Sequence, residues 1–111
     1  MTYLAKCTHT SETVTASGLC AECERKYGID TLAAMTGSEK QVAWAEDIRR
    51  DAIQEIAEIC SIRARKMHVA YEIPEMVQVV LREMAKEADA KWWIDNRNNA
   101  KEAMARKVAG K

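Results

Sequence analysis

Apolar positions in this chain follow two regimes. From residue 38 onward they recur at helical intervals, whereas before it they are scattered among Thr, Ser, Gly and Cys. In the later part, Val42, Ala45, Ile48, Ala52, Ile56 and Ile59 mark one helical face, with Arg49, Cys60 and Arg63 in the same rows and Ile53 broadening the stripe. Arg, Glu and Asp fill the opposite face. Ser38 is a good N-cap and Gln41, three residues on, completes a capping box. The pattern predicts a helix from there to about Val69. At 1.5 Å per residue it would be roughly 45 Å long, so its far end should meet a partner or project into solvent.

Pro74 stops this run and suits the first turn of the next helix. Val77, Val80, Leu81, Met84, Ala88 and Trp92 mark a second stripe beyond it. The short Tyr71-Glu72-Ile73 connection predicts that the two long helices lie antiparallel. A third, weaker helix covers about Asn99 to Val108, with Ala100, Ala103, Met104 and Val108 inward. The Asp95–Asn99 run either breaks the chain before it or is absorbed into one continuous helix.

Residues 1–37 read as a loop-rich head and 38–111 as a helical body. The head holds three of the four Cys and three of the four Gly, while residues 38–109 contain no Gly and one Pro. Thr2-Tyr3-Leu4 and Thr13-Val14-Thr15-Ala16 are β-type stretches that predict a small hairpin. A short helical turn follows from Ala21 to Tyr27 and ends at Gly28. Ile29 to Met35 is either one more turn or a packed linker. The expected fold is mainly α: a zinc-stabilised head followed by an antiparallel helical hairpin or three-helix body.

Composition supports a helical protein without Phe, whose core rests on Ala, Ile, Val, Met and three Trp. Seventeen basic and seventeen acidic residues cancel, which argues against a generic polyanion binder. Met1–Lys6 lacks the apolar core of a secretory signal, and no run approaches the ~20 apolar residues of a membrane span. The expected location is cytoplasmic, where clustered cysteines hold metal or do redox chemistry more often than they form stable disulfides.

The chemistry centres on Cys7-x-His9, ten residues, then Cys20-x-x-Cys23. A Cys-x-x-Cys turn brings two sulfurs to one tetrahedral Zn2+ about 2.3 Å away. Cys7 and His9, at i and i+2 of an extended strand, would share a face and complete the shell. Four protein ligands leave no position for substrate, so the expected zinc is structural, holding a head too small for its own core. A redox Cys20–Cys23 pair, incidental cysteines, and another soft-ligand ion such as iron are the alternatives; the redox motif normally sits in a βαβ context absent here. Cys60, on the inner face of the first long helix, reads as a small core residue, and His68 as a solvated one.

Trp92-Trp93-Ile94 followed by Asp95-Asn96-Arg97-Asn98-Asn99 is the most unusual run in the body. Trp93 and Arg97 form a candidate partner patch, since Trp and Arg are favoured at interface hot spots. The alternative is packing, with one Trp completing the stripe and the other covering the bundle end. Arg63, Arg65 and Lys66, with His68, form a basic cluster; Arg97, Lys101, Arg106, Lys107 and Lys111 form another. Either cluster could touch phosphates or be the solvated face of a helix. No phosphate loop, HExxH or Ser/His/Asp arrangement is present, and the chain is not expected to be an enzyme.

The segment Thr36-Gly37-Ser38-Glu39-Lys40-Gln41-Val42-Ala43-Trp44-Ala45-Glu46-Asp47-Ile48-Arg49 resembles a family of small, largely uncharacterised bacterial and phage proteins. They pair a Cys/His zinc-finger-like head with a helix opening on G-S-E-K-Q-x-x-W-A-x-x-I-R. Trp93-Ile94-Asp95-Asn96-Arg97 is similar to a second shared segment. The resemblance implies a bacterial cytoplasm or phage-infected host cell and carries no functional residues with it. The first motif reads physically as a capped helix start, with Trp44 packing against the head. The expected function is non-enzymatic binding of a protein partner or a second copy, with a phage-type modulator of a host complex as the form the resemblance suggests. Nucleic-acid binding is the alternative.

Overall fold

The computed structural model describes residues 3–7, 9–11, 14, 15 and 17–110. The chain is mainly helical, with a small head at its N-terminal end. Strands β1 (Tyr3–Leu4) and β2 (Thr10–Ser11) pair antiparallel, Tyr3 opposite Ser11 and Leu4 opposite Thr10. An isolated antiparallel bridge joins Val14 to Cys20. The first strand therefore pairs with residues 10–11. Of the two expected β stretches, Thr2, Thr13 and Ala16 lie outside the described residues.

Helix α1 (Ala21–Tyr27) ends at Gly28, whose φ of 75° lets its amide reach back to the last carbonyls. Ile29 to Met35 is not helical. It is a packed linker in which Ile29 and Met35 are buried. Helix α2 (Glu39–Met67) starts at the expected capping box: Ser38 Oγ accepts from the Gln41 amide, and Gln41 Oε1 accepts from the Ser38 amide. It ends at His68 in the left-handed conformation, close to the expected Val69.

Helix α3 (Glu75–Lys86) follows Pro74. Val77 and Val80 face Ile56–Cys60, and Pro74 lies by Arg63–Ala64, so α3 runs back along α2 as the short connection requires. The stripe expected to continue to Trp92 instead breaks at residues 87–89, and α4 (Ala90–Asp95) begins after Asp89, whose carboxylate caps the Lys91 amide. A second break follows, and α5 (Ala100–Ala109) starts after Asn99. Among the described residues the body thus has four helices.

The break at 87–89 has a long-range cause. The linker crosses there: the Thr36 amide donates to Ala88 O at 2.7 Å, the Ala90 amide to Thr36 O at 3.2 Å, and the Ala33 amide to Ala85 O at 2.8 Å. These bonds satisfy backbone groups that a continuous helix would have paired internally. Helix α2 packs most closely on α4, and α3 on α5.

One continuous core joins head and body. Cys7, Leu19, Tyr27, Ile73, Leu81, Met84, Trp93 and Met104 are the largest of its fully buried side chains. Tyr71, from the α2–α3 connection, is buried in the same cluster and donates its hydroxyl to Ala57 O at 3.2 Å. Among the described residues, no helix is long and apolar enough to cross a membrane.

Candidate metal centre

Two tight turns and one helix start build the site. Cys7 and His9 lie in the turn between β1 and β2, closed by the Ala5 amide donating to His9 O at 3.2 Å. The expected extended strand is therefore a turn. It brings the two ligands together because the chain reverses there.

The second turn runs from Thr15 to Leu19. Its backbone is pinned by Thr15 N donating to Leu19 O at 3.0 Å and Gly18 N to Thr15 O at 2.9 Å. Ser17 Oγ accepts from the Leu19 amide and donates to Glu24 Oε2 at 2.9 Å, tying the turn to α1. Gly18 has φ 86°, and a Cβ there would meet the Lys6 side chain at 2.8 Å. That close approach lets the Lys6 amide donate to Gly18 O at 2.8 Å, which sets Cys7 against Cys20. Cys20 is the N-cap residue of α1, and Cys23 sits on its first turn.

The four ligand atoms lie within 4.8 Å of one another, the one such cluster among the described residues. Cys7 Sγ and Cys20 Sγ are 3.5 Å apart, His9 Nδ1 and Cys23 Sγ 3.1 Å, and His9 Nδ1 and Cys20 Sγ 3.7 Å. A tetrahedral shell with legs of about 2.3 Å has sulfur–sulfur edges of about 3.8 Å. The donor set and spacing fit a metal ion. All four cysteines are free thiols. The three sulfurs at the site are buried and only His9 is exposed.

The electrostatics point the same way. Burial opposes ionisation of Cys7, but the amides of Cys20 and His9 and the neighbouring thiols bring its pKa below the ordinary thiol value. Cys23 goes strongly the other way, raised by burial and by the sulfurs of Cys20 and Cys7. The two thiols are thus shifted in opposite directions, and a cation among the sulfurs would favour the ionised form of each.

The candidate partner residues fare differently. Trp93 is 0% exposed. Its Nε1 donates to Glu87 O at 3.1 Å, and Trp92 meets its ring edge-to-face at 4.9 Å. It is a core residue and offers no surface to a partner. Trp44, expected against the head, is 49% exposed, with the Arg97 guanidinium 5.3 Å over its ring. Arg63, Arg65 and Lys66 are exposed on the last turns of α2. Nineteen residues separate Trp44 from Arg63 along that helix, about 28 Å, so Arg97 and the basic cluster do not form one patch. Cys60 is buried, as expected, and burial raises its thiol pKa.

Arg49 is the residue whose role the pattern concealed. It is buried, and its Nη1 donates to Ala33 O at 2.8 Å and Glu87 O at 3.4 Å. The linker and the end of α3 are thus clamped to α2. Its Nε has no partner among the described residues, and burial lowers its pKa. An Arg on the inner rows of an otherwise apolar stripe was the available signal.

Fold and site define a small helical protein with a Cys3His cluster able to hold a metal ion. No protein-family model, curated protein or solved structure matches the chain.

Proposed function

We propose that Cys7, His9, Cys20 and Cys23 bind one structural Zn2+, and that the protein is a non-enzymatic binding module for a protein partner. The observation that carries this is the closed shell: four convergent protein donors, three of them buried in the common core. Zinc accepts such a set without preference for further ligands, and a full shell leaves no open position for catalysis. The ion would tie both turns of the head to α1, and function would fall to the surfaces held in place around it. A phage-type modulator of a host complex is one form this role would take, in line with the family resemblance.

Nucleic-acid binding is the second reading, favoured by exposed Arg63, Arg65 and Lys66, which make no salt bridge among the described residues. Duplex DNA and RNA binding measured against salt separates the two. The protein-partner reading expects no appreciable binding at physiological salt. Affinity that falls steeply with salt and is lost on charge reversal of Arg63 and Arg65 would move the assignment to nucleic acid.

A further inference from the structure

Helix α2 turns Ala57, Cys60, Ser61 and Ala64 to the core and presents a contiguous outer stripe: Glu55, Glu58, Ile59, Ile62, Arg63 and Lys66, all exposed. Spacings of three and four residues put them on one face. The stripe also reads as a charge palindrome. About a midpoint between residues 60 and 61, Glu55 mirrors Lys66, Glu58 mirrors Arg63, and Ile59 mirrors Ile62.

We propose that this face is the contact between two copies of the chain, α2 against α2, antiparallel about a two-fold axis. The inference rests on the protein-partner reading and names the partner as the chain itself. A two-fold contact must be self-complementary, because each residue meets the mirror position of its own surface. Here every acidic position would meet a basic one and the two isoleucines would meet in the middle. A parallel pairing in register would instead set like charges side by side.

The stripe also adjoins unfilled apolar space. A groove of about 280 Å³ between α2, α3 and α5 is lined mainly by Ile56, Ile59, Val77, Val80 and Ala105. Met76, next to it in sequence, is 82% exposed. An Ile62 side chain from a second copy, arriving opposite Ile59, has this groove beside it. Glu58 and Glu55 already pair with Lys6 at 3.4 Å and Lys101 at 3.2 Å, each through one oxygen. The other oxygen of each carboxylate is the one offered across the axis. Exposed ion pairs contribute little individually, so the charges set register and partner choice while the apolar centre supplies affinity.

The test is sedimentation equilibrium of the zinc-loaded full chain over a concentration series. The wild type should show a reversible dimer. A basic variant (Glu55→Lys, Glu58→Lys) and an acidic variant (Arg63→Glu, Lys66→Glu) should each dimerise about tenfold more weakly or worse. Mixed in equal amounts they should form a heterodimer, since every pair across the axis is again opposite in charge. That recovery also shows that both variants are folded. A wild type that stays monomeric overturns the proposal, as does a dimer that neither variant weakens. A monomeric wild type that still binds a different protein overturns self-pairing alone; a chain that binds neither overturns the proposed function with it.

Discussion

The described residues of the head contain two strands of two residues and one helix of seven, whereas α2 alone has 29. The body is ordered by what its sequence repeats: apolar rows, caps and one buried Trp. The head has no such repetition. Its order comes from two turns that bring side chains 16 residues apart in sequence, Cys7 to Cys23, to one point. A fold held by many weak contacts loses stability in small steps as single contacts are removed. One held by four donors around one ion should fail together. The two regions nevertheless share one core, so this difference can be tested within one chain.

The largest effect should come from the metal. Structural zinc sites contribute apparent binding energies of about 10 kcal/mol, comparable to the whole stability of a small domain. Chelation, or Cys20→Ser, should lower the melting temperature more than any other change and disorder the head amides in an NMR spectrum. Cys60→Ser should keep its metal. If Cys60→Ser lost metal as readily, the two regions would not differ in the way described.

Trp93→Ala comes next. Emptying a fully buried Trp site typically costs about 3–5 kcal/mol, read by chemical denaturation. Because Trp93 belongs to the body, the folded fraction should still carry one metal per chain. Arg49→Ala should cost less, about 2 kcal/mol, since two carbonyls lose a charged donor. Its loss should loosen the linker, seen as faster amide exchange at Ala33 and Thr36.

The smallest expected effect is alkaline. Burial raises the pKa of Cys60 above 9.0 and of Tyr71 above 10.0, with nearby thiols adding to the rise at Tyr71. A raised folded pKa gives stability that is complete below the unfolded value and lost as pH climbs past it. The melting temperature should therefore fall as pH passes through 9 and then 10. Tyr71→Phe should remove the later part of that fall, at a cost of about 1 kcal/mol for the Ala57 hydrogen bond.

The helices were legible where the information was local. Ser38 and Gln41, Gly28, Pro74 and the spacing from Val42 to Cys60 each act within a few residues. The convergence of the four candidate ligands was legible because Cys-x-x-Cys constrains its own geometry, although Cys7-x-His9 sits in a turn and not a strand. The break at residues 87–89 was hidden because its hydrogen bonds come from Thr36 and Ala33, some fifty residues away. Trp93 was misread for the same reason. Whether Trp92 or Trp93 faces the core depends on that break, which moves α4 off the stripe of α3. Arg49 was visible in the pattern, but its partners were not.

The central claim is the metal, and one measurement reaches it directly: metal content per chain in untagged protein purified without added zinc. The account predicts one zinc per chain, falling well below one in Cys20→Ser and staying at one in Cys60→Ser. Metal-free protein that keeps the same head structure, or a Cys20–Cys23 disulfide in its place, would contradict it.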